Sequence, residues 1–540
     1  MLRKAYELYA QGGGAMGEGL ELFDKERGNI QAGREGAKQH FTVDRQAAQL
    51  CNAYPNIGAY LLDLRQHPLE RIEWLEDAVS AARLLEHRQG ESSSLCNLGA
   101  TFADLGDTGR AIQFYEQALA IDRSLGDRQG ESVLTGNLGA AYAAIGEARQ
   151  AIQYYEQYLE VAREFADLRG QSNVLNNLGA AYEVLGDTGK SLEYCEQALT
   201  IAREIGERRA EANALGNMGL AYAARGETRR AIECYEDALA LNRVLGDRHG
   251  EAVTLGNLGI SYKNSGDVNR ALECFELSLT IARETNNRRG EGVALGNLGV
   301  ANRLLGRTSE AIELFQQELT ISLEQGDRRG QSMALGNLGA THADQREIER
   351  SIEYYEQALA ISRELGHRPL MALLLSNLGA VYAHLGEIER PFDCYQKSLD
   401  ISRELGDRQT EAATLFNMGL TCDKSGEAKR GIEFYEQALV IYQSLDDRRN
   451  EVITLGYLGV ACENAGELQR ALTCYEKRLL IAREIGDDYS EGKELWSMSQ
   501  IFDKLQERGQ AIDCATAALE IFERIEAPDA VMVRERLAGW

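Results

Sequence analysis

The chain has 540 residues, of which 44% are hydrophobic and 26% charged, and its formal net charge is −26. This length exceeds what one compact hydrophobic core usually holds. An acidic chain is repelled by phosphate backbones and anionic lipid, so the charge argues against nucleic acid or a membrane surface as the main partner.

The first 49 residues predict an N-terminal helical junction or cap. The stretch GLELFDKERGNI (19–30) is amphipathic, with Leu20, Phe23 and Ile30 spaced for one face of a helix. The start of the chain, MLRKAYELYAQGGG, lacks an apolar signal core. Because no run of 18 apolar residues follows, we expect no transmembrane helix and a cytoplasmic location.

Residues 50–90 predict a degenerate first repeat. The stretch from Asn56-Ile57-Gly58 through Ala78 has the pattern of the units that follow, but one residue out of phase. Ten in-register repeats of 40 residues then occupy 91–490, a truncated last repeat occupies 491–527, and a short C-terminal capping helix occupies 528–540. The period is visible in the pair Leu-Gly or Met-Gly, which returns at 98–99, 138–139, 178–179, 218–219, 258–259, 298–299, 338–339, 378–379, 418–419 and 458–459.

Each repeat contains two helical segments. In one repeat, Leu255, Leu258 and Tyr262 lie on one face of a first helix, which Gly266 ends, and Asp267 caps the second helix. The second helix has its own apolar face, formed by Ala271, Leu272, Phe275, Leu279 and Ala282. A helix pair of this kind cannot bury its apolar face alone, so neighbouring repeats are expected to stack into one continuous core.

The apolar signature resembles the tetratricopeptide repeat (TPR). The positions that carry the resemblance are Leu215, Met218-Gly219, Tyr222, Ala231, Tyr235 and Ala238. The resemblance implies an all-α fold, a right-handed superhelical solenoid of about 11–12 helix-turn-helix repeats that presents its first helices on a concave side. Because the repeat is longer than usual and lacks the closing proline, it resembles the forty-residue versions in kinesin light chains and Pins-type adaptors.

The face of the first helix opposite the core is unusual for a solvated surface. It carries Val253, Gly256, Asn257 and Ile260 where lysine, glutamate and glutamine would be expected. Glycine inside a helix costs roughly 1 kcal/mol relative to alanine. The chain nevertheless places one there at 136, 216, 256, 296, 336 and 456, which indicates that either a neighbouring helix or a ligand main chain approaches the backbone.

An asparagine recurs on this face in nine repeats, beginning at Asn97. A side-chain amide both donates and accepts, so a column of amides can hold an extended peptide by its main chain. In kinesin light chains and Pins-type adaptors this position contacts ligand peptides, so the resemblance implies an asparagine ladder in a concave groove. The alternative, that the amides brace adjacent helices, stays open. The predicted peptide-binding residues are Asn137, Asn177, Asn217, Asn257, Asn297, Asn337, Asn377 and Asn417.

The other chemistry-bearing residues favour structural roles. Arginine recurs just after each second helix, where it complements the helix terminus and nearby carboxylates. Five of the ten cysteines fall on one repeat position, which is typical of packing residues. The string Gly189-Lys190-Ser191 lacks the earlier glycine of a phosphate loop, since position 184 is valine. We therefore predict no catalytic residue, no metal site and no cofactor.

Residues 19–30 and 50–79 also resemble the junction between nucleotide switch and repeat sensor in bacterial NB-ARC-type signalling NTPases. That resemblance implies a sensor arm, which would act alone or with a separately encoded signalling or effector protein. The sequence thus predicts a scaffold that binds a protein or an extended peptide and is not an enzyme. The alternative function is a structural scaffold that assembles with copies of itself.

Overall fold

The computed structural model describes residues 2–10, 13–57, 68–445, 447–485 and 487–540. Residues 1, 11 and 12 of the predicted N-terminal segment, residues 58–67 of the predicted degenerate repeat, and residues 446 and 486 lie outside them. Within the described ranges every regular element is an α-helix, and consecutive helices pack as pairs. The predicted all-α array of helix pairs is confirmed. The chain forms two compact units, Met1–Ala224 with Arg229–Asp247, and Arg225–Thr228 with Arg248–Trp540.

The first unit begins with helices that precede the regular repeats. In chain order its helices are α1 (Leu2–Ala10), α2 (Gly13–His40), α3 (Arg45–Ile57), α4 (Pro68–Leu84), α5 (Arg88–Asp104), α6 (Thr108–Leu125), α7 (Arg128–Ala144), α8 (Ala148–Glu164), α9 (Leu168–Val184), α10 (Thr188–Glu204), α11 (Arg208–Ala224) and, from Arg229 onward, α12 (Thr228–Leu245). The amphipathic stretch predicted at 19–30 lies within α2, where Phe23 and Ile30 are buried against Trp74. Leu20 is only partly buried beside them.

The second unit consists of regular pairs and one terminal helix. Its helices are α13 (Arg248–Asn264), α14 (Val268–Glu284), α15 (Arg288–Leu304), α16 (Thr308–Glu324), α17 (Arg328–Asp344), α18 (Ile348–Glu364), α19 (Arg368–His384), α20 (Glu389–Leu405), α21 (Arg408–Lys424), α22 (Ala428–Ser444), α23 (Arg448–Asn464), α24 (Leu468–Ile485), α25 (Asp488–Lys504), α26 (Arg508–Arg524) and α27 (Asp529–Ala538). None of the helices described in either unit combines the length and apolarity needed to cross a membrane.

The constant period follows from constant helix length. In the repeat that begins at Arg248, two 17-residue helices alternate with turns at 265–267 and 285–287, which completes the 40-residue period. Gly266 adopts a left-handed φ of +91°, a conformation that glycine takes without steric cost. The Asp267 carboxylate then accepts a hydrogen bond from the Arg270 backbone N–H at 3.1 Å. The predicted helix stop and cap are therefore confirmed.

The Leu-Gly pair recurs because an aromatic ring packs on the first-helix backbone. A Cβ atom at Gly259 would lie 2.5 Å from the Phe275 ring, too close for two carbon atoms. Phe275 is 1% exposed, and Leu258 beside the glycine is also buried. Tyrosine or phenylalanine occupies the same place in most other repeats, and Cys195 packs against Gly179 in one of them. The Leu-Gly pair thus recurs because it packs in the core. The asparagine before it, Asn257 in this repeat, is not part of the core.

Ion pairs connect one repeat to the next. The Glu291 carboxylate on α15 accepts hydrogen bonds from Arg283 on α14 at 2.9 Å and from Arg288 at 2.7 Å. Burial alone would raise the pKa of Glu291, but the two arginines outweigh it and hold the pKa below its ordinary value. Equivalent pairs recur at Glu91, Glu131 and Glu411. The recurring arginines therefore serve the structural role that the sequence favours.

Candidate functional site

The first helices of the second unit leave one face open to solvent. On α13, Leu255 and Leu258 are 2% and 4% exposed, whereas Val253 is 51% exposed. The predicted division of this helix into a core face and an open face is confirmed. Burial of aliphatic side chains stabilises the fold, and the exposed aliphatic side chains of the open face do not contribute this stabilisation.

Large apolar side chains form a column on the open faces of four consecutive first helices. This apolar column consists of Val253, Val293, Met333 and Leu373, and each of them is at least 44% exposed. The residues at the corresponding place in three other repeats are Asn173, Asn213 and Ala413. Val133 and Ile453 are exposed aliphatic residues at the same place in two separate repeats, but only α13, α15, α17 and α19 carry them in four consecutive repeats.

The recurring asparagines lie one helical turn after the apolar column. In the same four repeats they are Asn257, Asn297, Asn337 and Asn377, which we call the amide column. Residues four apart on a helix are surface neighbours, so the two columns adjoin. Together they form one surface, here called the amide–apolar face.

Several asparagines outside this run are braced to the preceding first helix. The Nδ2 of Asn97 donates to Asn56 Oδ1 at 2.9 Å, and that of Asn217 donates to Asn176 Oδ1 at 2.9 Å. Asn417 donates to Ser376 Oγ at 3.2 Å, and Asn137 lies 3.8 Å from Cys96 Sγ. In each case the partner stands 41 positions earlier in the chain.

The four asparagines of the amide column lack such a partner. The positions 41 residues before Asn257, Asn297, Asn337 and Asn377 are glycines 216, 256, 296 and 336, which carry no side chain that could accept a hydrogen bond. Within the described residues, none of these four side-chain amides is hydrogen-bonded. They are only partly buried, so both the N–H and the C=O of each amide are available. In the first unit, Asn177 is unpaired in the same way, with glycine at position 136.

The glycines on this face serve more than one purpose. A Cβ at Gly136, Gly296 or Gly456 would meet a long side chain of the following second helix, which is Tyr158, Glu318 or Arg478 respectively. A Cβ at Gly336 would lie 2.8 Å from Leu374 of the next first helix. Gly216 and Gly256, by contrast, have nothing within 4 Å of where their Cβ atoms would be. Neighbouring side chains therefore account for four of these six glycines and leave the backbone open at Gly216 and Gly256.

Two adjacent cavities open on the amide–apolar face. One, of about 390 Å³, lies among α13, α14 and α15 and is lined by Val253, Asn257, Val293 and Asn297. The other, of about 400 Å³, lies among α15, α16 and α17 and shares Val293 and Asn297 with the first. Met333 and Asn337 complete its outer wall. Apolar and amide groups thus line both cavities together. Peptide-binding grooves combine these two kinds of group, because polar groups bind the peptide main chain and apolar pockets contact its side chains.

The string that resembles part of a phosphate loop has structural contacts. Lys190 Nζ lies 4.8 Å from the centre of the Tyr182 ring. Its backbone N–H donates to the capping carboxylate of Asp187 at 3.1 Å, and Ser191 is buried. All ten cysteines are within the described residues, and none forms a disulfide.

Stacked helix–turn–helix pairs of constant length place the chain in the class of helical repeat proteins, which bind partners along extended surfaces. A family model for the tetratricopeptide repeat matches residues 49–124, 170–243, 250–324, 291–364, 330–390 and 370–444. A second model of the same description matches residues 134–169. The chain therefore belongs to the tetratricopeptide repeat family, as its signature predicts, and the repeats form a protein-binding scaffold.

Several solved structures are similar to this chain over most of their own length. The apo form of the quorum sensor NprR from B. thuringiensis is 14% identical, covers 63% of this chain and 98% of its own, and has a TM-score of 0.47. Yeast Tom70 is 12% identical over 83% of this chain and 95% of its own, with a TM-score of 0.44. The TPR-like repeats of a kinesin light chain-like protein from Podosopora anserina are 20% identical over 36% and 95%, with a TM-score of 0.32. None of the curated proteins compared with the chain matches it.

Proposed function

We propose that the chain is a sensor or adaptor that binds an extended peptide segment of a partner protein along the amide–apolar face. The observation that carries the proposal is the coincidence of the unpaired amides of Asn297, Asn337 and Asn377 with the exposed apolar column. The amides would pair with the peptide main chain, and the cavities between first helices would receive its side chains. Binding of this kind requires no catalytic group.

The energetics support a binding role for the unpaired amides. A half-buried amide without a partner contributes less to folding than one that is hydrogen-bonded, because each net hydrogen bond contributes about 0.5–1.5 kcal/mol. Exposed aliphatic side chains likewise contribute more once a ligand covers them. Folding therefore leaves unpaired amides and exposed aliphatic groups in the repeats from α13 to α19, and a ligand can contact these groups.

The test begins with selection of random linear dodecapeptides, displayed on phage, against the immobilised full chain. Peptides that bind are then measured against the double variant Val293→Asp with Met333→Asp. We expect affinity to fall roughly 10-fold or more, since each aliphatic side chain covered by ligand contributes on the order of 1–2 kcal/mol. The control is Val440→Asp with Leu480→Asp, which places the same charges at exposed aliphatic positions on second helices.

Equal losses in the two double variants would contradict binding at the amide–apolar face. Failure to select any peptide, combined with particle growth on concentration in light scattering, would favour the other function that the sequence leaves open, assembly with copies of the same chain.

A further inference from the structure

Glu318 is an exception at its position in the repeat. The corresponding residues of other second helices are small, namely Ala118, Ala198, Ala238, Ser278, Ala358, Ser398, Ala438 and Ala518. Tyr158 and Arg478 are the other exceptions. Glu318 is only 7% exposed, so the chain places a carboxylate at a position where its other repeats pack a methyl or hydroxyl group.

The Glu318 carboxylate is buried without a partner. Its Oε2 atom has no hydrogen bond to any described residue. Gly296 makes room for it, since a Cβ there would lie 2.7 Å from Oε1. Burial, with a smaller contribution from the nearby Asp327 carboxylate, raises the pKa of Glu318 to about 8. Glu291, only one helix away in the chain, shows the contrast, because two arginines pair with it.

The carboxylate lines the cavity of about 400 Å³ on the amide–apolar face. Val293, Val300, Ile321 and Met333 supply apolar walls to the same cavity. An aliphatic stem that ends in a positive charge matches this arrangement, because the stem would contact apolar groups and the charged end would meet the carboxylate. Lysine and arginine side chains have that form.

We propose that this cavity receives a lysine or arginine side chain of the bound peptide, with the Glu318 carboxylate as its counter-ion. The proposal rests on the peptide-binding function proposed above and adds a specificity to it. A buried carboxylate is stabilised by a cation that donates charge-assisted hydrogen bonds, and these are the strongest hydrogen bonds available to it. The incoming cation would supply the partner that the folded chain lacks.

The charged groups around the cavity limit it to one cation. Arg289 and Arg329 also line it, but both are exposed and therefore screened by water. They would disfavour a second basic residue of the peptide and favour acidic residues on either side of the first. Asp327 lies at the start of α17, where its Oδ1 accepts the Gly330 N–H at 2.9 Å, so its carboxylate is already engaged.

The experiment repeats the dodecapeptide selection in parallel on the wild-type chain and on Glu318→Ala. Alanine occupies the same repeat position at Ala238 and Ala358, so the variant is expected to fold. We expect peptides selected on the wild type to share a lysine or arginine at one fixed position, and peptides selected on Glu318→Ala to lack that preference. Peptides that bind both chains without a basic residue would overturn this inference and leave the proposed function intact. Selection of no peptide by either chain would overturn both.

A second measurement assigns the preference to Glu318. The best wild-type peptide is compared with a version in which norleucine replaces the shared basic residue. The norleucine replacement should lower the affinity of the peptide 10-fold or more for the wild-type chain and less than 2-fold for Glu318→Ala. Affinity of the basic peptide for the wild type should also rise as the pH increases from 6 to 8.5, because Glu318 loses its proton while the ligand keeps its charge. Equal losses on both chains, or affinity that is flat with pH, would contradict the assignment.

Discussion

Two sets of repeats in this chain treat the same polar positions differently. In the repeats around Asn217 and Asn417, the recurring amide is hydrogen-bonded to the preceding first helix. In the repeats that carry Asn297, Asn337 and Asn377, glycine replaces the acceptor and the amides stay unpaired. The same contrast holds at a second position, where Arg478 is paired and Glu318 is not. Because an amide without a protein partner contributes less to folding than a hydrogen-bonded one, the difference supports the binding role proposed for α13–α19.

The largest effect is expected from replacing Arg478 and Glu318 by alanine, each separately. Arg478 Nη1 lies 2.7 Å from Glu494 Oε1, and the Glu494 side chain is 2% exposed. Arg478→Ala leaves that carboxylate buried without its partner, which we expect to lower the free energy of unfolding by roughly 2–4 kcal/mol. Glu318→Ala should instead raise it by about 1–3 kcal/mol, since it removes an unpaired buried group.

Denaturant unfolding of the two variants beside the wild type checks this prediction. Both substitutions install the alanine that the position has in neighbouring repeats, so they differ only in what they remove. A fall in stability of similar size for both variants would mean that Glu318 is a structural residue and would remove the contrast between the two sets of repeats.

The next effect is the response of the unfolding free energy to pH. The folded-state pKa of Glu318 is raised to about 8 from an ordinary value of 4.5. Between these values the unfolded chain releases a proton that the folded chain retains, so this group makes stability fall as the pH rises from 4.5 to 8 and has no further effect above that. The stability advantage of Glu318→Ala over the wild type should therefore be small at pH 5 and largest at pH 8. Unfolding at both pH values measures it, and a pH-independent difference would contradict the burial of an unpaired carboxyl.

A smaller effect separates the two faces of one helix. Gly259→Ala would force a Cβ against the Phe275 ring and should lower the unfolding free energy by about 1–3 kcal/mol. Gly256→Ala meets no atom within 4 Å and should raise it by up to about 1 kcal/mol, because alanine is the better helix former. Thermal unfolding of the two variants compares them directly. Destabilisation by Gly256→Ala would mean that the backbone is not open on the amide–apolar face.

Much of this arrangement can be predicted from the sequence, because equivalent positions recur every 40 residues and a structural role inferred in one repeat applies to the others. Leu255 and Leu258 are correctly placed in the core, and Gly266 and Asp267 are correctly placed between helices. Whether the side-chain amide of each asparagine is hydrogen-bonded is harder to predict. It depends on the residue 41 positions earlier, and that register between successive first helices is a property of packing. Once the register is known, the glycine at 256, 296 or 336 is the signal in the sequence.

Glu318 could not be predicted as unpaired for a similar reason. The column of alanines and serines makes it conspicuous, but a glutamate on a helix is ordinarily solvated or paired. Whether it has a partner depends on the next first helix, where Ala334 stands at the repeat position that Glu494 occupies opposite Arg478. That pairing becomes visible only when the helices are packed.

The most direct measurement compares two matched triple variants for binding and for melting temperature. The first replaces Asn297, Asn337 and Asn377 by alanine, and the second replaces Asn97, Asn217 and Asn417. With a peptide selected on the wild-type chain, the first should lose roughly 10-fold to 10³-fold in affinity at an unchanged melting temperature, since each lost hydrogen bond costs about 0.5–1.5 kcal/mol. The second should melt at a lower temperature and lose less affinity. Unchanged binding by the first variant, together with a lower melting temperature, would contradict a ligand role for the unpaired asparagines.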